Sequence, residues 1–259
     1  MIYLLYKLKF PNGIHVGANS SLELTSTTVS SDVFYSAFYA EYIRIFGEND
    51  RELFQLTEND EFKVSDLLPF KKIETEIRDL FILKPKIFED SRGFFLESYN
   101  YNTFKEIGIE NIFVQDNHSK SLKGVLRGLH FQKGEYSQAK LVRVLKGAVL
   151  DIAIDLRKNS KTFGKYVTVE LSEKNKKMFF ISRNFAHGFL TLEDNTEFFY
   201  KCDNFYNPKS EAGIMWNDKD LNIEWNFKKY GINENELIIS EKDKKNMSFK
   251  EYKKINNIE

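Results

Sequence analysis

The stretch from Gly124 to Arg157 constrains the fold of this chain more than any other part of it. Its residues alternate between apolar and polar with a period of two, which predicts β-strands, and glycines mark its corners. In its last strand one face carries Leu150, Ile152, Ile154 and Leu156, and the other carries Val149, Asp151, Ala153 and Asp155. Both faces are partly apolar, so we expect both to be covered. Charged residues on a covered face indicate a cavity.

Three side chains that carry or can carry a positive charge precede this strand in the sequence. His130 follows Arg127 by three residues and precedes Lys140 by ten. If the neighbouring strands that carry them converge on one barrel interior, they form a site for an anionic substrate. The alternative is that His130 is a hydrogen-bonded core residue and that Arg127 is partly exposed. These residues alone leave both interpretations open.

Composition indicates a globular protein and narrows the classes of function. The 259 residues allow one large domain, or a main domain with a smaller one. A formal net charge of zero gives no indication of nucleic-acid binding. Cys202 is the only cysteine, which excludes an internal disulfide and fits a reducing compartment. The first ten residues contain two lysines and no long apolar run, so we expect a strand there, neither a signal peptide nor a membrane span, and a cytoplasmic protein.

Residues 1–70 have a sequence pattern of their own. Ile2–Phe10 alternates like a strand, and apolar residues at helical spacing from Phe34 to Ile45 predict a helix. The motifs LKFPNGIHVG, TVSSDVFYSAFYAEYIRIFG and FKVSDLLPF resemble the start of the type III CRISPR subunits that hold the 5′ end of the guide RNA. This resemblance implies an incomplete ferredoxin-like segment. Its net charge of −5 has the wrong sign for binding phosphates, so we do not expect nucleic acid as a partner.

A second pattern, of short strands at close spacing, starts near Lys71 and defines a second predicted domain, residues 71–259. It contains one short helix, Tyr101–Ile107, which Gly108 ends. Besides the central stretch, the predicted strands are Ile73–Ile77, Phe81–Pro85, Gly93–Ser98, Ile112–His118, Lys165–Leu171, Lys177–Ile181, Gly188–Leu192 and Glu197–Cys202. Many strands with little helix indicate a mainly β fold, a sandwich or a jelly roll.

Seven ordered blocks in this domain carry a specific family resemblance. They are FEDSRGFFLESYN, FVQDNHSKSLKGVLRGLHFQ, AKLVRVLKG, TFGKYVTVELSEKN, NFAHGF, EFFYKCDNFYNPKSEAGIMWND and IEW. From about Lys72 to Phe249 the chain therefore resembles the dTDP-4-dehydrorhamnose 3,5-epimerase family. The resemblance implies a double-stranded β-helix (a cupin-like jelly roll), a homodimer, and a nucleotide-sugar substrate of the dTDP-4-keto-6-deoxyhexose type. It implies no metal and no redox cofactor.

The resemblance also implies four catalytic residues. The substrate has a ketone at C4, so the hydrogens on C3 and C5 can leave as protons, and inversion needs a base on one face and an acid on the other. His130 matches the base, and Asp243 matches the carboxylate that pairs with its ring. Tyr200 matches the acid, and Lys140 matches the cation that stabilises the enolate oxygen. The alternatives are a solvated tail charge for Asp243 and a core or interface aromatic for Tyr200.

Further positions match residues that hold the substrate. These are Arg92, Glu97, Gln115, Asp116, Asn117 and Arg127 for the nucleotide and its diphosphate, with His187, Glu211, Lys242 and the thymine-stacking Tyr206. Arginine suits phosphate because its fork makes paired hydrogen bonds. Asp151 points toward the same cavity by strand phase alone. One departure is ISRN before NFAHGF, where the family has a proline that fixes the approach to His187.

Two other classes of function remain open from the sequence. A metal-dependent cupin would use His130, His118 and His187 as ligands, but such sites normally offer a His-x-His pair, and this chain has His130-Phe131-Gln132. A non-catalytic protein would bind sugar through the sandwich or RNA through residues 1–70. Within the epimerase class, enzymes that invert C3, C5 or both share most of these residues, and the sequence does not separate them.

Overall fold

The computed structural model describes residues 70–258, which belong to a unit that spans Pro69–Glu259. The strands in this range are β1 Phe70–Glu74, β2 Leu80–Pro85, β3 Phe88–Asp90, β4 Gly93–Phe95, β5 Gln115–Ser121, β6 Leu126–Gln132, β7 Lys140–Lys146, β8 Ala148–Asp155, β9 Tyr166–Ser172, β10 Met178–Ile181, β11 Phe185–Thr191, β12 Thr196–Cys202 and β13 Glu211–Gly213. The α-helices are α1 Tyr101–Glu106 and α2 Phe249–Ile255, and the 3-10 turns are η1 Gly134–Tyr136, η2 Phe227–Tyr230, η3 Glu234–Glu236 and η4 Asp243–Lys245. The predicted mainly β fold is confirmed.

The strands form two antiparallel sheets and a separate hairpin. The six-stranded sheet has the order β1-β2-β10-β7-β12-β5, and the five-stranded sheet has the order β13-β6-β11-β8-β9. The hairpin consists of β3 and β4. From β5 to β8, and again from β9 to β13, strands that follow each other in sequence lie alternately in the two sheets. Two facing sheets linked by such crossings form a double-stranded β-helix, the cupin-like jelly roll that the family resemblance implies.

Apolar clusters hold the layers together in the described part of the chain. The inner cluster lies between the sheets and includes Phe189 of β11 and Phe198 of β12. The outer face of the five-stranded sheet, with Ile152 of β8, packs against the C-terminal segment around Trp225. A third cluster packs α1, through Phe104, on the outer face of the six-stranded sheet. Each such buried side chain contributes about 1.5–3 kcal/mol through the hydrophobic effect.

Strand β8 is covered on both faces, as the sequence pattern predicts. Its outer face contributes Leu150, Ile152 and Ile154, and the following residue Leu156 joins the same cluster. Its inner face contributes Val149 and Ala153 to the cluster between the sheets. Asp151 and Asp155, in phase with the inner face, are fully buried. A buried carboxylate needs a hydrogen-bonding or charged partner: Asp151 pairs with His187, and Asp155 pairs with Arg157.

Most strand positions agree with the sequence pattern, but two strands are shifted by three residues. The strand predicted at Ile73–Ile77 lies at Phe70–Glu74. The strand predicted at Ile112–His118 lies at Gln115–Ser121, because Ile112 and Val114 belong to an exposed segment before it. The sequence pattern also does not predict β3 and β13, which have three residues each. The predicted helix is present as α1, and Gly108 follows it with a φ of +80°.

The strand and helix predicted within residues 1–69, and the ferredoxin-like segment they would form, lie outside the described residues. β1 begins at Phe70, whose buried ring packs edge-on against Phe104 of α1. A cut after residue 70 would therefore remove part of β1. Among residues 70–258, no helix is long and apolar enough to cross a membrane.

Candidate active site

Strand β6 contains one extra residue, which places Arg127 and His130 on the same face. In the pairing of β6 with β11, His130 lies opposite His187 and Arg127 lies opposite Phe189. A step of three residues in β6 therefore matches a step of two in β11. In a regular strand, residues three apart point to opposite faces, and a β-bulge reverses this relation. Both side chains consequently line one cavity.

Gly128 lies inside the bulge and allows the two strands to approach closely. Its φ is +124°, a conformation that residues with a Cβ rarely adopt. An added Cβ would lie 2.7 Å from Cα of Gly188 and 2.9 Å from the carbonyl oxygen of His187. Both obstacles are backbone atoms, so no side-chain rotation can relieve the contact. A glycine is therefore required here for conformation and for space.

We expect Gly128→Ala to lower the free energy of unfolding by roughly 3–5 kcal/mol, because it adds backbone strain to a contact with fixed backbone. Urea unfolding followed by circular dichroism measures the change. Gly134→Ala is the matched control, since its φ of +58° is also positive but nothing lies within 4 Å of an added Cβ. The control should cost only about 1–2 kcal/mol. Equal losses in the two variants would contradict the close-approach argument.

The cavity has a volume of about 580 Å³ and opens between the two sheets. Arg127 and His130 of β6 line it from the five-stranded sheet, and Lys140 of β7 and Tyr200 of β12 line it from the six-stranded sheet. The expectation that Arg127, His130 and Lys140 converge from neighbouring strands is therefore wrong in detail. They come from facing sheets, because the chain crosses between the sheets after β6. A ligand in this cavity would have side chains of both sheets around it.

His130 and Asp243 form a short hydrogen-bonded pair. The distance from His130 Nε2 to Asp243 Oδ1 is 2.6 Å. Asp243 begins η4 and is only 3% exposed, so it is not a solvated tail charge. Its other oxygen accepts the Gly128 N–H at 3.2 Å, and its own N–H donates to Ser240 Oγ. Burial raises the pKa of Asp243, but the hydrogen bonds and charge of His130 and the Gly128 N–H more than offset this, so the pKa lies below its usual value and the carboxylate can stabilise an imidazolium.

Lys140 and Tyr200 face this pair from the other sheet. The Lys140 ammonium lies 6.0 Å from the centroid of the Tyr200 ring. Burial lowers the pKa of Lys140, although Cys202, Asp151 and Glu211 attract its charge. Burial raises the pKa of the Tyr200 hydroxyl to about 12. At neutral pH the cavity therefore contains a protonated phenol, which can donate a proton, beside the Lys140 side chain.

A second imidazole–carboxylate pair belongs to the same wall. Both carboxylate oxygens of Asp151 lie 3.0 Å from Nε2 of His187, which lines the cavity. Burial lowers the pKa of His187 and raises that of Asp151, each against the attraction of the other. Strand phase points Asp151 toward the cavity, but the sequence does not predict this pairing. It depends on the register of β11 on β8, in which Asp151 lies opposite Phe189, two residues from His187.

Each histidine at this cavity has its own carboxylate. The pairs are His118–Glu197, His130–Asp243 and His187–Asp151, at 3.3, 2.6 and 3.0 Å. Within residues 70–258, no group of three His, Cys, Asp or Glu side chains is arranged to hold a metal ion. The three imidazoles are thus placed in separate imidazole–carboxylate pairs and not as one shared ligand set.

Tyr206, Glu211 and Lys242 form a chain of contacts that ends at the cavity. The Tyr206 hydroxyl donates to the Glu211 carboxylate, and the same carboxylate forms an ion pair with the Lys242 ammonium. Lys242 is the member of this chain that lines the cavity. The Tyr206 ring is half exposed, so one of its faces is accessible to a planar ligand.

The three consecutive residues of β5 do not point the same way. Asn117 lines the cavity, and its Oδ1 accepts a hydrogen bond from Gln115 Nε2 at 3.1 Å. Gln115 Oε1 in turn accepts the backbone N–H of Tyr206 at 2.9 Å. Asp116 lies on the opposite face of the strand and pairs with Lys201 at 2.8 Å. Asn117 therefore lines the cavity, Gln115 contacts Asn117 without lining the cavity, and Asp116 points away from it.

Arg92 and Glu97 also lie apart from the residues that line the cavity. Arg92 occupies the exposed turn between β3 and β4, where its guanidinium binds the Asp90 carboxylate at 2.6 Å. Glu97 accepts hydrogen bonds from the side chains of Asn100 and Thr103 at the start of α1. Within the described residues these contacts organise the hairpin and the helix. The predicted role of both residues in substrate binding therefore rests on the family resemblance.

The contents of the cavity define a class of protein. The jelly roll carries an imidazole–carboxylate pair on one sheet and a phenol beside a lysine on the other, so groups that could serve as a base, an acid and a cation face one cavity. This arrangement suits an enzyme that moves protons at carbon atoms next to a carbonyl group. Residues 74–251 match the family model described as dTDP-4-dehydrorhamnose 3,5-epimerase. The chain belongs to this family of isomerases.

Individual relatives agree with the family match. The dTDP-4-dehydrorhamnose 3,5-epimerase of Salmonella typhimurium is 58% identical over 156 residues, which cover 60% of this chain and 85% of the relative. The crystal structure of the Elizabethkingia anophelis enzyme is 50% identical with a TM-score of 0.66, covering 71% of this chain and 98% of that one. The Legionella pneumophila enzyme in complex with dTDP-4-keto-L-rhamnose is 45% identical with a TM-score of 0.65, covering 69% and 92%. The resemblance of residues 1–70 to a CRISPR subunit finds no support in these matches.

Proposed function

We propose that this protein inverts C3 and C5 of a dTDP-4-keto-6-deoxyhexose, a step in rhamnose-type deoxysugar synthesis for cell-surface polysaccharide. The observation that carries the proposal is the position of the His130–Asp243 pair across one cavity from Tyr200 and Lys140. The Salmonella relative is named for the same activity, and the Legionella structure holds dTDP-4-keto-L-rhamnose. Arg127 and Lys242 line the same cavity, which suits an anionic nucleotide sugar.

The proposed proton transfers follow from the two walls of the cavity. The C4 ketone makes the hydrogens on C3 and C5 acidic, and His130 removes one of them as a proton. Asp243 stabilises the imidazolium that results. The electron pair of the broken C–H bond moves into an enolate, and the Lys140 ammonium stabilises its oxygen. Tyr200 donates a proton to the carbon from the facing sheet, which inverts the configuration and leaves a phenolate. His130 then loses its proton to solvent, and the Tyr200 phenolate takes a proton from solvent, which restores both groups.

Arg127 is the residue that we propose for the diphosphate. Its Nε and Nη2 donate to Ser121 Oγ at 3.3 Å, and it forms no ion pair with any residue in the range 70–258. Its charge therefore remains available for phosphate oxygens, which guanidinium groups bind in pairs. The other residues that we propose to hold the substrate are Asn117, His187, Lys242, Gln115, Glu211, Arg92, Glu97 and, against the thymine ring, Tyr206.

Proton NMR in D2O tests the proposed function. The purified protein with dTDP-4-keto-6-deoxyglucose should exchange the hydrogens at both C3 and C5 for deuterium and should form the inverted product. Label and inversion at one carbon only would replace the proposal with a single-position epimerase. No exchange at either carbon, from folded protein with the intact substrate, would contradict it.

Lys140 should set the alkaline limit of activity. The pKa of Lys140 lies below the ordinary 10.5. As the pH rises, kcat/KM should therefore decrease with a midpoint below pH 10.5, because the charge that stabilises the enolate is lost. Tyr200, with a pKa of about 12, is still protonated there. The arginine of Lys140→Arg keeps its charge up to pH values above about 12. The variant should therefore be less active than the wild type at neutral pH, but its activity should decrease only at a higher pH. An unchanged alkaline limb in this variant would assign the limit to another group.

Removal of residues 1–68 should leave epimerase turnover within about threefold, a barrier change well below 1 kcal/mol. The reason is that the family match begins at residue 74 and β1 begins at Phe70. Removal of residues 1–74 is the control, because it also deletes β1 and the buried Phe70 ring, and it should lower the free energy of unfolding. A folded but inactive 69–259 protein would show that the first segment contributes to the site.

We also propose that the protein acts as a homodimer in the cytoplasm. Phe94 and Phe95 of the β3–β4 hairpin are 53% and 69% exposed, and β1 and β5 are sheet edges among the described strands. Exposed aromatic rings and open edges suit pairing with a second copy. Light scattering during gel filtration tests the dimer, which should have twice the chain mass of 30.5 kDa.

A further inference from the structure

A second and larger cavity lies at the edge of the five-stranded sheet where β6 and β8 end and β11 begins. Its volume is about 830 Å³, and it shares no lining residue with the active-site cavity. Along β6, His130 lines the active-site cavity, whereas the last two residues of the strand, Phe131 and Gln132, line the second one. We call it the basic cavity, after the cationic residues that line it: Arg78, Lys133, Arg157, Lys158 and Lys161.

The lining of the basic cavity is positively charged and contains no acidic residue. Two of the five cations have acidic partners: the Arg157 guanidinium pairs with Asp155 at 2.8 Å and with Asp79 at 2.7 Å, and Arg78 Nε lies 3.7 Å from the Asp79 carboxylate. Lys133 and Lys161 are exposed and form no ion pair with any residue between 70 and 258. Concave surfaces with one sign of charge concentrate counter-ions. Amide side chains complete the polar lining: Gln132, Asn159, Asn184 and Asn256.

The loop that carries most of these cations is held in place by Asp155. This fully buried carboxylate accepts hydrogen bonds from Arg157, from Ser160 Oγ at 2.6 Å and from Thr162 Oγ1 at 2.7 Å. Lys158 donates to the backbone carbonyls of Asn256 and Asn257, which ties the loop to the end of α2. The positive groups therefore stand on an organised backbone, which reduces the entropic cost of binding.

We propose that the basic cavity binds a small molecule that carries a diphosphate group, either inorganic diphosphate or a nucleoside diphosphate, at a site separate from catalysis. Lysine ammonium groups bind phosphate as point charges, and none of the three lysines here has a carboxylate partner among the described residues. The volume lies in the range of small-molecule sites, about 300–1,000 Å³. The amide groups can accept and donate hydrogen bonds to hydroxyl groups or to a base.

Isothermal titration calorimetry of the full chain in metal-free buffer of low ionic strength tests the proposal. The probes are inorganic diphosphate and ADP. The background variant is Arg127→Gln, in which the active-site cavity has lost its proposed phosphate ligand. Binding should persist in this background, and adding Lys133→Gln with Lys161→Gln should raise Kd at least about tenfold. The matched control adds Lys174→Gln with Lys228→Gln, two exposed lysines outside the cavity, and should change Kd less than about twofold.

Three results would overturn the proposal: no binding in the Arg127→Gln background, an unchanged Kd in the Lys133→Gln, Lys161→Gln variant, or equal weakening by the control pair. If the proposal holds, the two probes identify the source of the diphosphate. Tighter binding of ADP indicates that the amide side chains contact a nucleoside. Equal or tighter binding of inorganic diphosphate indicates a site for the free anion. Neither result depends on epimerase activity.

Discussion

His130→Ala should abolish inversion of the sugar and uptake of deuterium from D2O together, each by ~10²–10⁴-fold. Without the imidazole no proton leaves C3 or C5, so neither the exchanged substrate nor the inverted product can form. In the structure this imidazole lines the cavity, and its Nε2 lies 2.6 Å from the buried Asp243 carboxylate. Proton NMR of substrate and product in D2O, recorded in parallel for both signals, measures the two losses.

His118→Ala is the matched control for this loss. His118 also lines the cavity and also has a carboxylate partner, Glu197, but its side chain is half exposed. It should keep turnover within about threefold, which corresponds to less than 1 kcal/mol in the barrier. If His130→Ala still exchanges at the wild-type rate, another group is the base, and His187 with Asp151 becomes the next candidate. Urea unfolding of both variants separates loss of catalysis from loss of folding.

Much of the fold could be predicted because its strands are half-buried or fully buried and keep a period of two. The two covered faces of β8 are visible directly in the sequence from Val149 to Leu156. The error at β5 has a physical cause, since exposed apolar residues such as Ile112 and Val114 look the same in sequence as buried ones. Strands of three residues, such as β3 and β13, are too short to show any period.

The site could be predicted only in part, because its geometry depends on long-range contacts. His130 and Asp243 are 113 residues apart, and nothing in the local sequence ISEKD indicates that its aspartate is buried. The positions of Arg127 and His130 on one face require the bulge at Gly128, which a regular period excludes. The sequence contains one signal of this geometry. Gly128 and Gly188 lie within the two histidine motifs, LRGLHF and NFAHGF, and both positions require glycine because the two backbones are in close contact there.

Tyr200 is placed so that it can act on the substrate from the side opposite His130. It lies in β12 of the six-stranded sheet, and its ring contacts Phe198 in the inner cluster at a centroid distance of 5.9 Å. The ring is therefore held by packing, and Tyr200 lines the cavity. Because the pKa of this hydroxyl is about 12, it carries a proton across the neutral range. These features define what removal of the hydroxyl alone should do.

Tyr200→Phe should separate exchange from inversion. The variant keeps the ring and its packing, so His130 can still remove a proton and return a deuteron to the same face. Deuterium should then appear at C3 or C5 at a rate near that of the wild type, while inverted product falls by ~10²-fold or more, as expected for loss of a general acid. Proton NMR in D2O measures both signals in one sample. Tyr206→Phe is the matched control, because it also removes a tyrosine hydroxyl, one that binds Glu211 and takes no part in the proposed proton transfers. Normal inversion by Tyr200→Phe would show that water or another side chain delivers the second proton, whereas loss of exchange and inversion together would place Tyr200 in the first step with the base.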